Sequence, residues 1–241
     1  LSIDAMGALT TAQAAALSGQ QLAAIETADI AALSTAALRA LGADQVAAFT
    51  SGQFAALSSA QAVALTADQI AGLGTANLNA LGTSQFAALS SAQVAAISAA
   101  QAAKLENADV AALSTAAVKG LSQEAIAALT TGQVVAMTSA QVGALSSGQM
   151  SAMTNADLAK LESADIKALS TTTLAGLSAA QMGGLTTDQI AVLSTGQVSA
   201  FTPDQLSGLG TAGIAALSST QLGVLGSAQV AAWTNTQLAA I

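Results

Sequence analysis

Residues 9–24 read LTTAQAAA LSGQQLAA. Each half is an apolar residue, a hydroxyl residue, two small or polar residues, Gln, a second apolar residue and two alanines. The same frame extends outward without insertion, from LSIDAMGA (1–8) to WTNTQLAA (233–240), and Ile241 opens the next unit. The 241 residues are therefore one continuous array of thirty octads plus one residue, with the consensus L-[ST]-x-x-Q-[VIL]-A-A over 1–241. Position 1 is apolar in all thirty units: 23 are Leu, and the others are Ile25, Phe49, Ile97, Met137, Met153, Phe201 and Trp233. Position 6 is apolar in every unit, position 2 is Ser or Thr in 22, and position 5 is Gln in 19. So strict a period outranks every other signal in the chain.

Three conformations can be set against an eight-residue period. A continuous α-helix turns about 100° per residue, so its Leu stripe would drift by about 80° per octad and meet no constant partner. A strand sends positions 1 and 6 to opposite faces, and Ala and Gln are poor strand formers. One short helix per octad, re-aimed at each Leu-Ser junction, meets both objections.

That arrangement carries its own signature. Ser or Thr at position 2 with Gln three residues later is the capping-box pattern, and position 1 stands to position 6 as the hydrophobic staple. The lone proline, Pro203 in FTPDQLSG (201–208), falls at the first helical residue, where its missing N–H costs nothing. All thirteen acids stand at positions 2, 4 or 5, and all five cations (Arg39, Lys104, Lys119, Lys160 and Lys167) at 7 or 8. The helix dipole favours that polarity, repeated every eight residues. Half of the 20 glycines fall at positions 8 or 2, flanking the junction where the chain turns.

Helices this short do not stand alone in water, so stability has to come from stacking unit on unit. The expected fold is all-α: an α-solenoid of very short helices, one per octad, forming a thin rod. Positions 1 and 6 should fill the interior, including Met6, Met137, Met150, Met153 and Met182, and Trp233 should pack in the core or against an end. Ala at 7 and 8 should allow close approach, and positions 3 and 4 should face water. Two units per superhelical turn are expected, with three as the other option.

Composition narrows function. The chain has no His and no Cys, which excludes Ser-His-Asp and Cys-His nucleophilic sites, Cys/His zinc sites and disulfides. Five Lys+Arg against thirteen Asp+Glu leave a net charge of −8 and no basic patch for nucleic acid. Polar residues interrupt every apolar run, so no transmembrane span is expected. A strict repeat offers one surface many times over, whereas catalysis needs unlike residues converging in one pocket. We therefore expect no enzyme, no catalytic, cofactor or metal site, and no small-molecule substrate. The acidic units 25–32, 105–112 and 161–168 raise one question of cation binding, through Glu26 with Asp29, Glu106 with Asp109 and Glu162 with Asp165. Each pair lacks the dense oxygen ligands of a calcium loop. Lys104 beside Glu106 and Lys160 beside Glu162 should make weak, exposed pairs.

Tracts such as LSSAQVAA (89–96) and LTTDQIAV (185–192) resemble the Ala/Ser/Thr/Gln-rich short-period repeats of very large bacterial secreted or cell-surface proteins, among them adhesins and matrix components. The resemblance covers all 241 residues and implies an extracellular, structural role. The expected function is a filament-forming or spacer segment whose partner is itself, head to tail or laterally, since Leu1 and Ile241 both stand at position 1 without a polar capping unit. A protein-interaction scaffold is one alternative. Binding of ice or another regular surface through arrayed Ser/Thr is the other.

Overall fold

A computed structural model describes residues 3–241, all of them except Leu1 and Ser2. Among the described residues there is one helix per octad, thirty in all, from α1 (Ile3–Gly7) to α30 (Asn235–Leu238), and no strand. Each starts at or next to position 3 and runs for four to six residues.

The local reason is the cap. At Ser18 the backbone is extended (φ −75°, ψ 157°), its Oγ accepts from the Gln21 N–H, and Gln21 Oε1 accepts from the Ser18 N–H. This reciprocal box recurs with Thr50, Ser58, Thr66, Thr138 and Ser194, among others. The staple is present as well: Phe49 and Phe54, positions 1 and 6 of one octad, have ring centroids 5.8 Å apart. Pro203 occupies the first turn of its helix.

Apart from α26 (Pro203–Gly208), each helix among the described residues ends without a left-handed residue. Position 8 keeps helical angles and position 1 turns extended, as at Ala32 (φ −83°, ψ −13°) and Leu41 (φ −67°, ψ 143°). Only Gly210 has a positive φ, +68°, among the described residues. It lies where α26 (Pro203–Gly208) and α27 (Gly210–Ala215) nearly run together, because Leu209 stays helical. Apart from Gly210, the junction glycines therefore do not serve as αL caps. Those at position 8 serve close packing. At Gly120 a Cβ would collide with the Ser91 carbonyl, and at Gly176 it would lie 2.7 Å from the Ser147 Cβ.

The chain forms two compact units, one running to Ala128 and the other Leu129–Ile241. In the first, α2 (Thr11–Ala15) packs on α5 (Thr35–Ala40), α5 on α8 (Ser59–Ala64), α8 on α11 (Thr83–Ala88) and α11 on α14 (Asn107–Ala112). A parallel column links α3 (Gly19–Ala23), α6 (Ala43–Ala47), α9 (Ala67–Ala71), α12 (Ser91–Ala95) and α15 (Thr115–Val118). In the second, α18 (Ser139–Ala144), α21 (Ser163–Ala168), α24 (Thr187–Ala191), α27 and α30 form one such column. Every step is three helices, so each unit is a solenoid with three octads, 24 residues, per turn. This corrects the expectation of two per turn.

Positions 1 and 6 fill the interior, as expected: Leu33, Leu38, Phe54, Ile70 and Leu78 are buried, and so are all five Met and Trp233. Each such side chain contributes about 1.5–3 kcal/mol of burial. Positions 3, 4 and 7 are largely exposed. Position 5, however, is buried too: Gln53, Gln69, Gln133 and Gln141 are each 1% exposed. An amide so placed needs partners for every polar atom.

Candidate functional site: the glutamine ladder

The position-5 amide works at both ends. Gln69 Oε1 accepts from the Thr66 N–H (2.7 Å), closing its own cap. Its Nε2 donates to the carbonyls of Leu38 (3.0 Å) and Leu41 (2.7 Å), which are 31 and 28 residues earlier. Leu38 is position 6 of one octad and Leu41 is position 1 of the next. The Leu38 carbonyl already accepts from the Leu41 N–H at 3.3 Å and gains a second donor, while the Leu41 carbonyl stands at the junction beyond the helix end. The same pair of separations recurs at Gln53, Gln61, Gln93 and Gln101 in the first unit and at Gln189, Gln197, Gln205 and Gln221 in the second. Each side chain thus caps one helix N-terminus and one earlier C-terminus, welding successive turns.

Variants at position 5 show what the place demands. Asn77, a methylene shorter, still donates to the Phe49 carbonyl at 3.0 Å, 28 residues back, and Thr173 donates its hydroxyl to the Leu145 carbonyl at 3.1 Å. The aspartates have no proton to donate when ionised. Asp157 and Asp165 instead accept from hydroxyls of the turn below, Thr131 and Ser139, both at 2.7 Å. Asp165 also accepts from the Glu162 N–H at 2.8 Å. Asp109 is 3% exposed, and burial, reinforced by the nearby Glu106 charge, raises its pKa from 3.8 to about 6. Elsewhere, the exposed Glu124 carboxyl is held below its usual value by its own backbone N–H and the Ser122 hydroxyl.

The members of the three Glu/Asp pairs differ in burial. Asp29, Asp109 and Asp165 turn into the ladder, while Glu26, Glu106 and Glu162 stay exposed at the cap. Among the described residues no group of three or more acidic side chains is placed to hold a metal ion. Lys104, Glu106, Lys160 and Glu162 are all exposed, flanking buried Leu105 and Leu161. Shallow hollows among the described residues include one of about 500 Å³ lined by Leu17, Gln21, Glu26 and Asp29, and one of about 630 Å³ between Ser91, Ala95 and Lys119. No helix of the described residues is long and apolar enough to cross a membrane.

Sequence reasoning found the accepting half of the Gln and missed the donating half. One signal was there: position 5 holds Gln, Asp, Ala, Asn, Thr or Gly but never Glu, although Glu completes a capping box equally well. Of Gln and Glu, only the amide carries a donor.

Six segments match the ALTTAQ repeat family: residues 22–59, 70–105, 102–139, 127–155, 158–195 and 198–235, well over half of the chain. The chain belongs to the ALTTAQ repeat family. No curated protein matches it. The hexapeptide that names the ALTTAQ family stands unaltered at residues 8–13. It runs from position 8 across the junction to position 5, so it spans the close-packed small residue, the staple, the cap and the ladder Gln.

Proposed function

We propose that this ALTTAQ array is a structural spacer, a stretch of an extracellular or cell-surface protein of a bacterium whose work is to supply length by repetition, without chemistry of its own. One observation carries this reading: most octads spend a large polar side chain, the position-5 Gln, on holding the turn before. The exposed positions are left to small residues such as Ala, Ser, Thr and Gly. The cap hydroxyls at position 2 are likewise occupied by backbone, which leaves them poorly suited to a ligand. Self-association along the solenoid belongs to the same reading, because stacking of one turn on the next is the contact from which the array is built.

The test uses the protein that contains this array, in the cells that make it. Removal of one whole octad at a time should leave its role unimpaired wherever the cut is made, and antibody should reach the array on intact cells. If a single octad proves indispensable, the array reads a partner and is a scaffold. If antibody reaches it only after lysis, the surface assignment fails. Imaging the purified chain at micromolar concentration tests self-association: filaments support it, and particles of single-chain mass refute it.

A further inference from the structure

We propose that Asp109 is a proton-operated rung of the ladder: ionised, it leaves its turn without the side-chain bridge, and protonated, its carboxyl O–H donates to the Leu81 carbonyl, so that acid tightens the packing of α14 on α11. The geometry comes from its neighbours in register. Every buried Gln of the first unit reaches the carbonyl 28 residues earlier, as Gln85 reaches Leu57 at 2.8 Å and Gln101 reaches Leu73 at 2.8 Å. For Asp109 that carbonyl belongs to Leu81. Asn77 has the length and branching of Asp and makes the bond to Phe49. Thr173 makes it with a hydroxyl, the kind of donor a neutral carboxyl presents. Asp109 therefore lacks only the proton.

Its surroundings supply no competing charge apart from Glu106 at its own cap. The helix packed against α14, α11 (TSQFAA), carries no titratable side chain, nor does α10 (Thr75–Asn79), whose Leu78 carbonyl is 31 residues back. Lys104 precedes the junction and is exposed. Burial and Glu106 both favour the neutral acid, with titration near pH 6. Because the folded pKa lies above the unfolded one, the proton binds the folded chain more tightly. The stabilisation is then full below about pH 4 and is lost as pH rises through about 6. The other buried aspartates with mapped partners behave oppositely: Asp157 accepts from Thr131 and Thr154, Asp165 from Ser139 and Glu162, and neither gains from a proton.

The experiment is thermal unfolding of the full chain between pH 4 and pH 7, comparing wild type with Asp109→Asn, Asp109→Gln and Asp165→Asn. The Asn and Gln variants donate at every pH, so each should melt several degrees above wild type at pH 7, with the gap closing towards pH 4. Asp165→Asn should melt below wild type at pH 7. A gap at Asp109 that does not change with pH overturns the proposal, and so does a lower melting temperature for both donor variants at pH 7. A direct titration of the Asp109 carboxyl carbon by NMR should have its midpoint near 6; a midpoint near 4 also overturns it. Neither result bears on the spacer reading, which the octad deletions test.

Discussion

Gln69 illustrates the balance at a single residue: one acceptor contact and two buried donor contacts from a neutral side chain. Gln69→Ala removes all three and takes the donor from the Leu41 carbonyl, while the Leu38 carbonyl keeps only the Leu41 N–H; the loss costs about 1–3 kcal/mol. In a chain of this size that lowers the melting temperature by roughly 2–4 °C per kcal/mol. Gln69→Glu keeps shape and cap acceptor but brings a carboxylate towards the Leu38 and Leu41 carbonyls, so it should destabilise more than Ala does. Parallel melts at pH 7 decide: if Glu is tolerated better than Ala, the cap matters and the inter-turn bonds do not. The accepting half was legible because its partner lies three residues away, within reach of a local motif. The donating half was not, since its partners at 28 and 31 residues acquire meaning only once the number of octads per turn is known. The same holds for Asp109, which reads as one more acid at a helix start until the fold buries it.

At the scale of the helix, caps and staples settle where each element begins, and contact between columns settles which residues can end it. Gly120 and Gly52 make the distinction measurable. At Gly120, position 8, an added Cβ meets the Ser91 carbonyl of the turn below, so Gly120→Ala should cost about 1–3 kcal/mol through overpacking. At Gly52, in the first turn of α7 (Ser51–Ala55), the nearest atom to an added Cβ is 3.8 Å away. Gly52→Ala should therefore stabilise by about 0.4–1 kcal/mol, chiefly by restricting the unfolded chain. Urea melts of the two variants should move in opposite directions. If both are destabilised alike, glycine is needed at the junction for its backbone freedom after all. The junction turns mostly without left-handed glycine because position 1 is extended, as at Leu41 (φ −67°, ψ 143°).

At the scale of the whole molecule, the strict octad makes length adjustable in whole units and intolerant of fractions. Deleting residues 57–64, one octad inside the first compact unit, brings Leu65 to the place of Leu57 and preserves every kind of contact. Its melting temperature should fall by only a few degrees. Deleting residues 57–60 instead puts Gln61 where a Leu belongs and breaks the ladder above and below. That variant should lose cooperative unfolding in the first unit, as nearest-neighbour stacking requires. Comparable melts for the two would mean that the helices find their columns without the period.

The order of residues by itself determined the element type, its length, its capped start and the two apolar positions that go inside. All of these follow from interactions spanning at most five residues, so eight letters suffice to specify them. Tertiary structure decided that three octads make a turn, that the Gln donates across that turn, and that an Asp in its place is buried. Those depend on which helices lie side by side, and that is set by how small side chains at positions 3 and 8 let one backbone approach another, as Gly120 approaches Ser91. No local pattern encodes that approach, because it exists only once a full turn of 24 residues has closed on the one before it.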